Sequence, residues 1–569
     1  MGRKSPPNLP VVSPEWKLIL ACARTRLDIP RRQQICELLD GRSINWIDLI
    51  MLAARHRVES LVCKTLEDEF SDRVPVAPLA CLKDAARIRA RWSLRLAGQM
   101  VALMDRFESA GIWAVPFKGP ALAAMAYGNL ALRHSEDLDF TVAQRDVRAA
   151  FSVLIDAGFR SDIDPGNARH ARFVDRGDLG QYMFHAHGGK TVVELHTERT
   201  MRYFPVPLDW EYLRGRLETV VVGGRPVRTF SAEDLLALLS VHGAKHFWGR
   251  LSWICDIAEL AQIPRGLDWE ASERVARRSG CRRMWLLGLS LAHEVLDAPL
   301  PGRVMEWIQS DPGVADLSGQ VQTMLVHADE TQVGLAQRLR FRVRSHARVG
   351  VGLRQSVRVA TRLTEDDWTG LYLPTWAESF YSALRPWRLL YKRGFPGRGE
   401  SAADSAPGQP LPHEIVERML RCAGLDAGDV LYDLGCGDGR AAILAAKQFG
   451  AHAVGIDIDP VRIAEARAQA RRQGVERFVE FRQQDPCEAD FSPATVITLS
   501  PACSAMLPLT EKLQTQLQPG ARLLSCGASL PGWIPDKIEM LDSHRGGLTV
   551  FSLWRMPVNV IATASRANT

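Results

Sequence analysis

The sequence predicts a multidomain α+β and α/β protein: a mostly helical amino-terminal half enclosing a small sheet, followed by a doubly wound parallel sheet. Three observations carry this. Residues 430–499 alternate strand and helix signals in the βαβ order. Before residue 394, apolar residues recur mostly at three- and four-residue spacing, the period of helices with one buried face. Between these regions lies Gly394–Pro412, rich in Gly, Pro, Ser and Ala and poor in apolar side chains, which is linker composition. The chain of 569 residues is too long for one core and divides into 1–393, a flexible linker 394–412, and 413–569.

Composition narrows the class. With 46% hydrophobic and 24% charged residues the chain reads as globular and soluble. No apolar run approaches the ~18 residues of a membrane-spanning helix. Met1–Pro10 carries charge with no apolar stretch behind it, so no signal peptide is read and a cytoplasmic location is expected. Eleven scattered cysteines without a Cys-x-x-Cys pair argue against a disulfide framework and a zinc ribbon. A net charge of +6 is too small to imply nucleic acid. Arginines do cluster at 338, 340, 342, 344 and 348, then at 354, 358 and 362 along one helical face. They are read as solvated or acid-paired, with an anionic partner as the other use.

The first elements are helices over Pro14–Arg24, Arg31–Leu39, Trp46–Ala54, Val58–Glu69 and Leu79–Ser109. An α/β island follows at Trp113–Leu195, with a helix over Arg145–Ala157 and strands around Tyr182–His185 and Thr191–Leu195. Asp137-Leu-Asp139-Phe-Thr-Val142 reads as a strand on which both aspartates share a face and converge on one metal cluster. Magnesium, which prefers carboxylate and phosphate oxygens, is the matching ion. Upstream, Lys118-Gly119 ends a strand and Pro120 opens a helix, where backbone N–H groups and a lysine hold phosphate. Downstream, Glu194 in Val192-Val-Glu-Leu-His196 offers a third carboxylate on another strand. Helices resume at Ala232–His246 and Trp253–Gln262. Within the first, His242 and His246 stand at i, i+4, but Gly243 replaces the Glu of a His-Glu-x-x-His metal site, and packing is expected.

The ordered set Lys118-Gly119, Arg133-x-Ser135-Glu136-Asp137-Leu138-Asp139 and Glu194-Leu195-His196 resembles a bacterial family of nucleotidyltransferases with the polymerase-β-like fold, over roughly residues 15–390. The resemblance implies that Asp137, Asp139 and Glu194 bind catalytic Mg²⁺, and that Lys118, Gly119, Arg133 and Ser135 contact a nucleoside triphosphate. Two departures stand out: a whole helix separates Lys118-Gly119 from the acids, and Glu replaces the usual third Asp.

Beyond the linker, an amphipathic helix over Glu414–Cys422 leads into strands at Val430–Asp433, Ala453–Asp457, Val479–Gln483 and Thr495–Leu499. These alternate with helices at Arg440–Gln448 and Pro460–Gln473. The first strand runs into Gly435-Cys-Gly437-Asp-Gly439, where glycines let the backbone turn tightly and approach a ligand. Its Gly-x-Gly-x-Gly spacing, the acid before it and the acid ending the next strand resemble the class I S-adenosylmethionine-dependent methyltransferases, over Pro412–Asp536. The resemblance implies that Asp433, Gly435, Gly437 and Gly439 surround the methionine end of S-adenosyl-L-methionine. Asp457 would bond its ribose hydroxyls and Asp485 would lie near its adenine amine. Flanking segments are similar to bacterial methyltransferases related to protein-lysine methyltransferases, although Leu499–Ser504 lacks the tyrosine common after the fourth strand in those proteins.

The expected function is a bifunctional transferase, moving a methyl group in the carboxy-terminal domain and a nucleotidyl group in the amino-terminal one, each to an unidentified acceptor. The alternative is a methyltransferase whose amino-terminal half is a non-catalytic module for recognising a protein partner.

Overall fold

The computed structural model describes residues 12–41, 44–176, 180–187, 191–197, 210–327, 334–361, 411–500, 507–527, 530, 533–542 and 548–560. The expected linker lies outside these residues except for Leu411 and Pro412, as does Arg362 of the arginine series.

Five helices open the chain: Pro14–Cys22, Ile29–Gly41, Trp46–Arg55, Glu59–Phe70 and Val76–Ser109. Ser13 and Asn45 cap the first and third, their side-chain oxygens accepting from the N–H groups of Trp16 and Asp48. The fifth helix serves two cores. Leu79, Cys81 and Leu82 join the core of the opening helices, whereas Leu96, Met100, Leu103 and Phe107 lie under the sheet that follows.

That sheet has the order β1-β2-β5-β4-β3, from β1 (Val115–Pro116), β2 (Asp137–Thr141), β3 (Phe159–Arg160), β4 (Gln181–Ala186) and β5 (Val192–His196). β2 and β5 run parallel; the other pairs are antiparallel. The period of two along a strand sorts the side chains. Leu138, Phe140, Val193 and Leu195 enter a core with Phe107 and Phe151. Asp137, Asp139, Glu194 and His196 are thereby left on the opposite face.

A hairpin of β6 (Glu218–Val222) and β7 (Arg225–Thr229) turns through Gly223 and Gly224, both at positive φ. Helices at Ala232–Lys245, Leu251–Leu260, Trp269–Arg278 and Arg282–Leu296 then pack around the fully buried Trp248 and Trp285. Gly243 is part of this packing, since a Cβ there would lie 2.5 Å from the Trp248 ring.

The carboxy-terminal sheet has seven strands in the order β10-β9-β8-β11-β12-β15-β14. They are β8 (Val430–Leu434), β9 (His452–Asp457), β10 (Val479–Gln483), β11 (Val496–Leu499), β12 (Arg522–Cys526), β14 (Lys537–Asp542) and β15 (Leu548–Arg555). The first five are parallel, and β15 runs antiparallel to both β12 and β14. One face packs on helices His413–Cys422, Arg440–Leu444 and Pro460–Gln473. On the other face, Tyr432, Ile456, Ile497, Leu523 and Trp554 belong to the same apolar core as the opening helices of the chain. Between β12 and β14 the only regular element among the described residues is the short strand β13 (Trp533–Ile534), which pairs with β16 (Asn559–Val560). Helix Val76–Ser109 packs against β14, and helix Trp46–Arg55 against β15.

Candidate functional site

In the amino-terminal half, the parallel register sets Asp139 beside Glu194 and Thr141 beside His196. Ligand atoms of Asp139, Glu194 and His196 all lie within 4.8 Å of one another. Lys118 caps the short helix Gly119–Leu122 and directs Nζ to Asp139 Oδ1 at 2.9 Å. His196 Nε2 stands 3.0 Å from the same oxygen and 3.3 Å from Glu194 Oε2, to which Gln181 Nε2 donates at 2.9 Å. The edge-on Phe117 ring packs against His196. Asp139 is buried, yet its Oδ2 has no hydrogen-bond partner among the described residues. Asp137 sits one pleat away, half-buried. Gly119 holds φ +53°, and a Cβ there would lie 3.3 Å from the Asp137 carbonyl oxygen.

Charges in this cluster are tightly linked. Burial and then the Asp139 charge push the Asp137 carboxyl well above its ordinary range. Asp139 shifts the other way, because Lys118 and the bond from His196 outweigh the cost of its burial. Burial opposes the charge on Lys118 and on His196, but the surrounding carboxylates outweigh it and raise both pKa values. A carboxylate pair held apart in this way is a frequent mark of a functional site.

Arg133 and Ser135 are engaged with the scaffold. Arg133 donates to both oxygens of Asp256, at 2.8 and 2.9 Å, and to Ser135 Oγ at 3.1 Å. The Tyr127 hydroxyl adds a bond to Asp256 at 2.8 Å. These contacts tie the entry of β2 to the helix Leu251–Leu260. The His242 and His246 rings lie 5.0 Å apart, with Trp253 against both. Burial, then the nearby Lys118 charge, drives the His242 pKa far down.

In the carboxy-terminal sheet, Asp433 lies in β8, Asp457 ends β9 and Asp485 follows β10, so the three acids occupy the carboxyl edge of three neighbouring strands. Gly435, Gly437 and Gly439 have φ values of 77°, 55° and 78°, a region that favours glycine. Asp457 organises the loop: Oδ2 accepts from the N–H of Gly437 at 3.0 Å and Oδ1 from that of Asp459 at 2.9 Å. A Cβ on Gly439 would fall 2.5 Å from the Phe481 ring. Asp433 is buried and accepts from the Thr498 hydroxyl at 2.7 Å; burial pushes its carboxyl up to about 6. Asp485 is exposed and caps the turn Pro486–Glu488 by accepting from Cys487 N–H. This cradle of positive-φ glycines with flanking carboxylates fits an adenosyl cofactor with a cationic methionine end. Sequence reasoning missed Thr498, which only the pairing of β11 with β8 brings opposite Asp433. It also passed over His196 as a member of the acidic group, although the two-residue spacing from Glu194 placed both on one face. Pro501–Ser504, within the segment where a tyrosine is missing, lies outside the described residues.

Comparison with known proteins agrees with both halves. A family described as "Uncharacterised nucleotidyltransferase" matches residues 42–297. One described as "ANTKMT methyltransferase domain" matches residues 433–537. A protein-lysine N-methyltransferase of Saccharolobus islandicus is 37% identical over 146 residues, which is 26% of this chain and 91% of that protein. Two ATP synthase lysine N-methyltransferases, of Xenopus laevis and Homo sapiens, are 37% and 35% identical, over 23% and 22% of this chain. Of those two proteins' own length the chain spans 58% and 52%. A solved RNA methyltransferase of Salinibacter ruber, in complex with S-adenosyl-L-homocysteine, is 42% identical across 27% of this chain and 98% of that one, with a TM-score of 0.25. No described helix is long and apolar enough to cross a membrane. The chain therefore joins an amino-terminal region that matches the uncharacterised nucleotidyltransferase family to a carboxy-terminal region that belongs to the S-adenosylmethionine-dependent methyltransferase family of the Saccharolobus islandicus relative.

Proposed function

We propose that the chain is a bifunctional transferase whose carboxy-terminal part, residues 413–569, methylates the amine of a protein lysine, and whose amino-terminal part, residues 1–393, transfers a nucleotidyl group. The lysine acceptor rests on the Saccharolobus islandicus relative, which bears that activity in its name and is matched along 91% of its length. When bound, S-adenosyl-L-methionine supplies an already activated methyl group, so what remains for the protein is to position and to exclude water. Asp457 would hold the ribose hydroxyls, two carboxylate oxygens suiting a vicinal diol. Asp433, kept from water by β11, would face the cationic methionine end, and Asp485 the adenine amine. Calorimetry of the full chain with S-adenosyl-L-methionine should give heat that Asp457→Ala removes. Incubation with cell protein should add methyl groups to lysine, and labelling confined to other residues would refute the acceptor.

In the amino-terminal part the supporting observation is the buried acidic group with Asp139 Oδ2, a buried oxygen without a hydrogen-bond partner among the described residues. Asp139 and Glu194, with Asp137 one pleat away, would hold a divalent cation, which in such sites neutralises charge on an attacking and a leaving oxygen. Lys118 is the cation that would meet a triphosphate. Full chain with α-labelled nucleoside triphosphates and a divalent cation should transfer label to an acceptor, and Asp137→Ala with Asp139→Ala should abolish that transfer. The recognition-module reading is favoured by a different observation, the packing of helices Trp46–Arg55 and Val76–Ser109 on β15 and β14. Absence of label transfer together with undiminished lysine methylation in the double variant would support it.

A further inference from the structure

We propose that the amino-terminal cluster binds its divalent ion through His196 Nε2 together with Asp139 and Glu194, and so selects a first-row transition ion over magnesium. This rests on the metal-dependent reading of that domain and specifies its ion. The parallel register of β2 and β5 brings Asp139 and Glu194 side by side and places His196 on the same face, two residues farther along β5. Their ligand atoms lie within 4.8 Å of one another, compatible with a shell whose metal–ligand distances are about 2.0–2.2 Å after a small closing motion. The His196 ring turns Nε2, not Nδ1, toward both carboxylates, at 3.0 and 3.3 Å. Phe117 packs edge-on against it and holds the ring plane.

One further observation points to a ligand. Asp139 Oδ2 is buried with no hydrogen-bond partner among the described residues, so the carboxylate keeps an open coordinating oxygen while Oδ1 serves Lys118 and His196. Lys118 and His196 approach Asp139 Oδ1 at 2.9 and 3.0 Å, which leaves Oδ2 as the carboxylate oxygen for an ion. One imidazole among carboxylates changes which ion is preferred. Oxygen-only shells suit magnesium, whereas a nitrogen donor favours first-row transition ions in the order that rises from manganese toward copper.

The test uses the intact chain and manganese as probe. Manganese binding followed by electron paramagnetic resonance should be tighter than magnesium binding measured by competition, and pulsed spectra of the manganese-loaded protein should show coupling to a directly bound ¹⁴N nucleus. His196→Gln should remove that coupling and weaken manganese binding by about 10–100-fold, at least what loss of an outer-shell partner alone produces. Its magnesium affinity should change much less. Absence of ¹⁴N coupling in the unmodified chain would overturn the proposal without relying on any variant, as would equal affinity for the two ions. If neither ion binds, the metal-dependent reading of the domain fails as well. Binding of both ions that Asp139→Asn abolishes, but with no nitrogen coupling, would leave that reading standing and refute only the role of His196.

Discussion

At Asp433 the proposed cofactor contact and the stability of the fold make opposite demands on one carboxyl. Its carboxyl is raised from an ordinary value of 3.8 to about 6 by burial, so the folded state binds its proton more tightly than the unfolded state does. Its stabilising contribution is therefore complete below the unfolded value and is lost as pH rises through about 6. The proposed contact with the cationic methionine end calls for the ionised form, so affinity for S-adenosyl-L-methionine should rise with pH across the same window. Asp433→Asn keeps an acceptor for the Thr498 hydroxyl. Calorimetry should find binding weakened and independent of pH across that window, while urea denaturation above it should find the variant at least as stable as the parent. A parent whose affinity is flat across that range would refute this role. Gly439 makes a simpler case. The added Cβ of Gly439→Ala would overlap Phe481 and Ala466 at 2.5 and 2.8 Å in a left-handed backbone, so stability should fall by about 1–3 kcal/mol. Cofactor affinity should fall with it, and a variant that melts and binds like the parent would mean that the loop has room it is not shown to have.

At the scale of elements, the strands of the acidic sheet were legible because their alternation is strict. Leu138 and Phe140 face the core and Asp137 and Asp139 oppose them, a pattern that period two alone reveals. What could not be read was the register between β2 and β5, which depends on packing across some fifty residues of sequence and decides that Glu194 and His196 meet Asp139. The same holds for Arg133, whose neighbour in space, Asp256, is 123 residues away. This bidentate pair is nearly buried, and removing one partner strands the other charge. Asp256→Ala should therefore cost about 3–5 kcal/mol in chemical denaturation. Replacing both residues by apolar ones of similar volume should cost much less, and equal losses would show that the pair acts by packing alone. The β6–β7 hairpin, by contrast, was missed although Gly223-Gly224 between two runs of β-formers carries its signal.

For the whole molecule, linker composition divides the sequence into two parts, and the packing of the described residues sets how far those parts unfold together. Described residues of both parts share one apolar core, in which helices from the amino-terminal half cover β14 and β15 where the chain between β12 and β14 forms no helix of its own among those residues. Burial on this scale couples unfolding, because separating the halves would expose Trp554 and the apolar face of the sheet to water. Scanning calorimetry of the full chain should give one cooperative transition, raised as a whole by S-adenosyl-L-methionine through mass action. Two separate transitions, only one of them shifted by the cofactor, would show that the halves are energetically independent. The arginine series belongs to this scale as well. Arg344 pairs with Asp316 at 2.9 Å and Arg338 lies over the Phe247 ring, so part of the basic cluster supports the helical layer.

The sequence by itself determined the local chemistry: the strands and helices of the methyltransferase sheet, the glycine turn with its acids, and the Asp-x-Asp strand. These follow from periodicity and backbone sterics, which act over a few residues. Tertiary structure decided which distant groups meet. Thr498 reaches Asp433 by strand pairing, His196 reaches Asp139 by register, and the first helices of the chain reach the last strands because both carry apolar faces that neither can bury alone. Hydrophobic burial has no direction and leaves no local pattern that names its partner, so those meetings could be found only in the folded molecule.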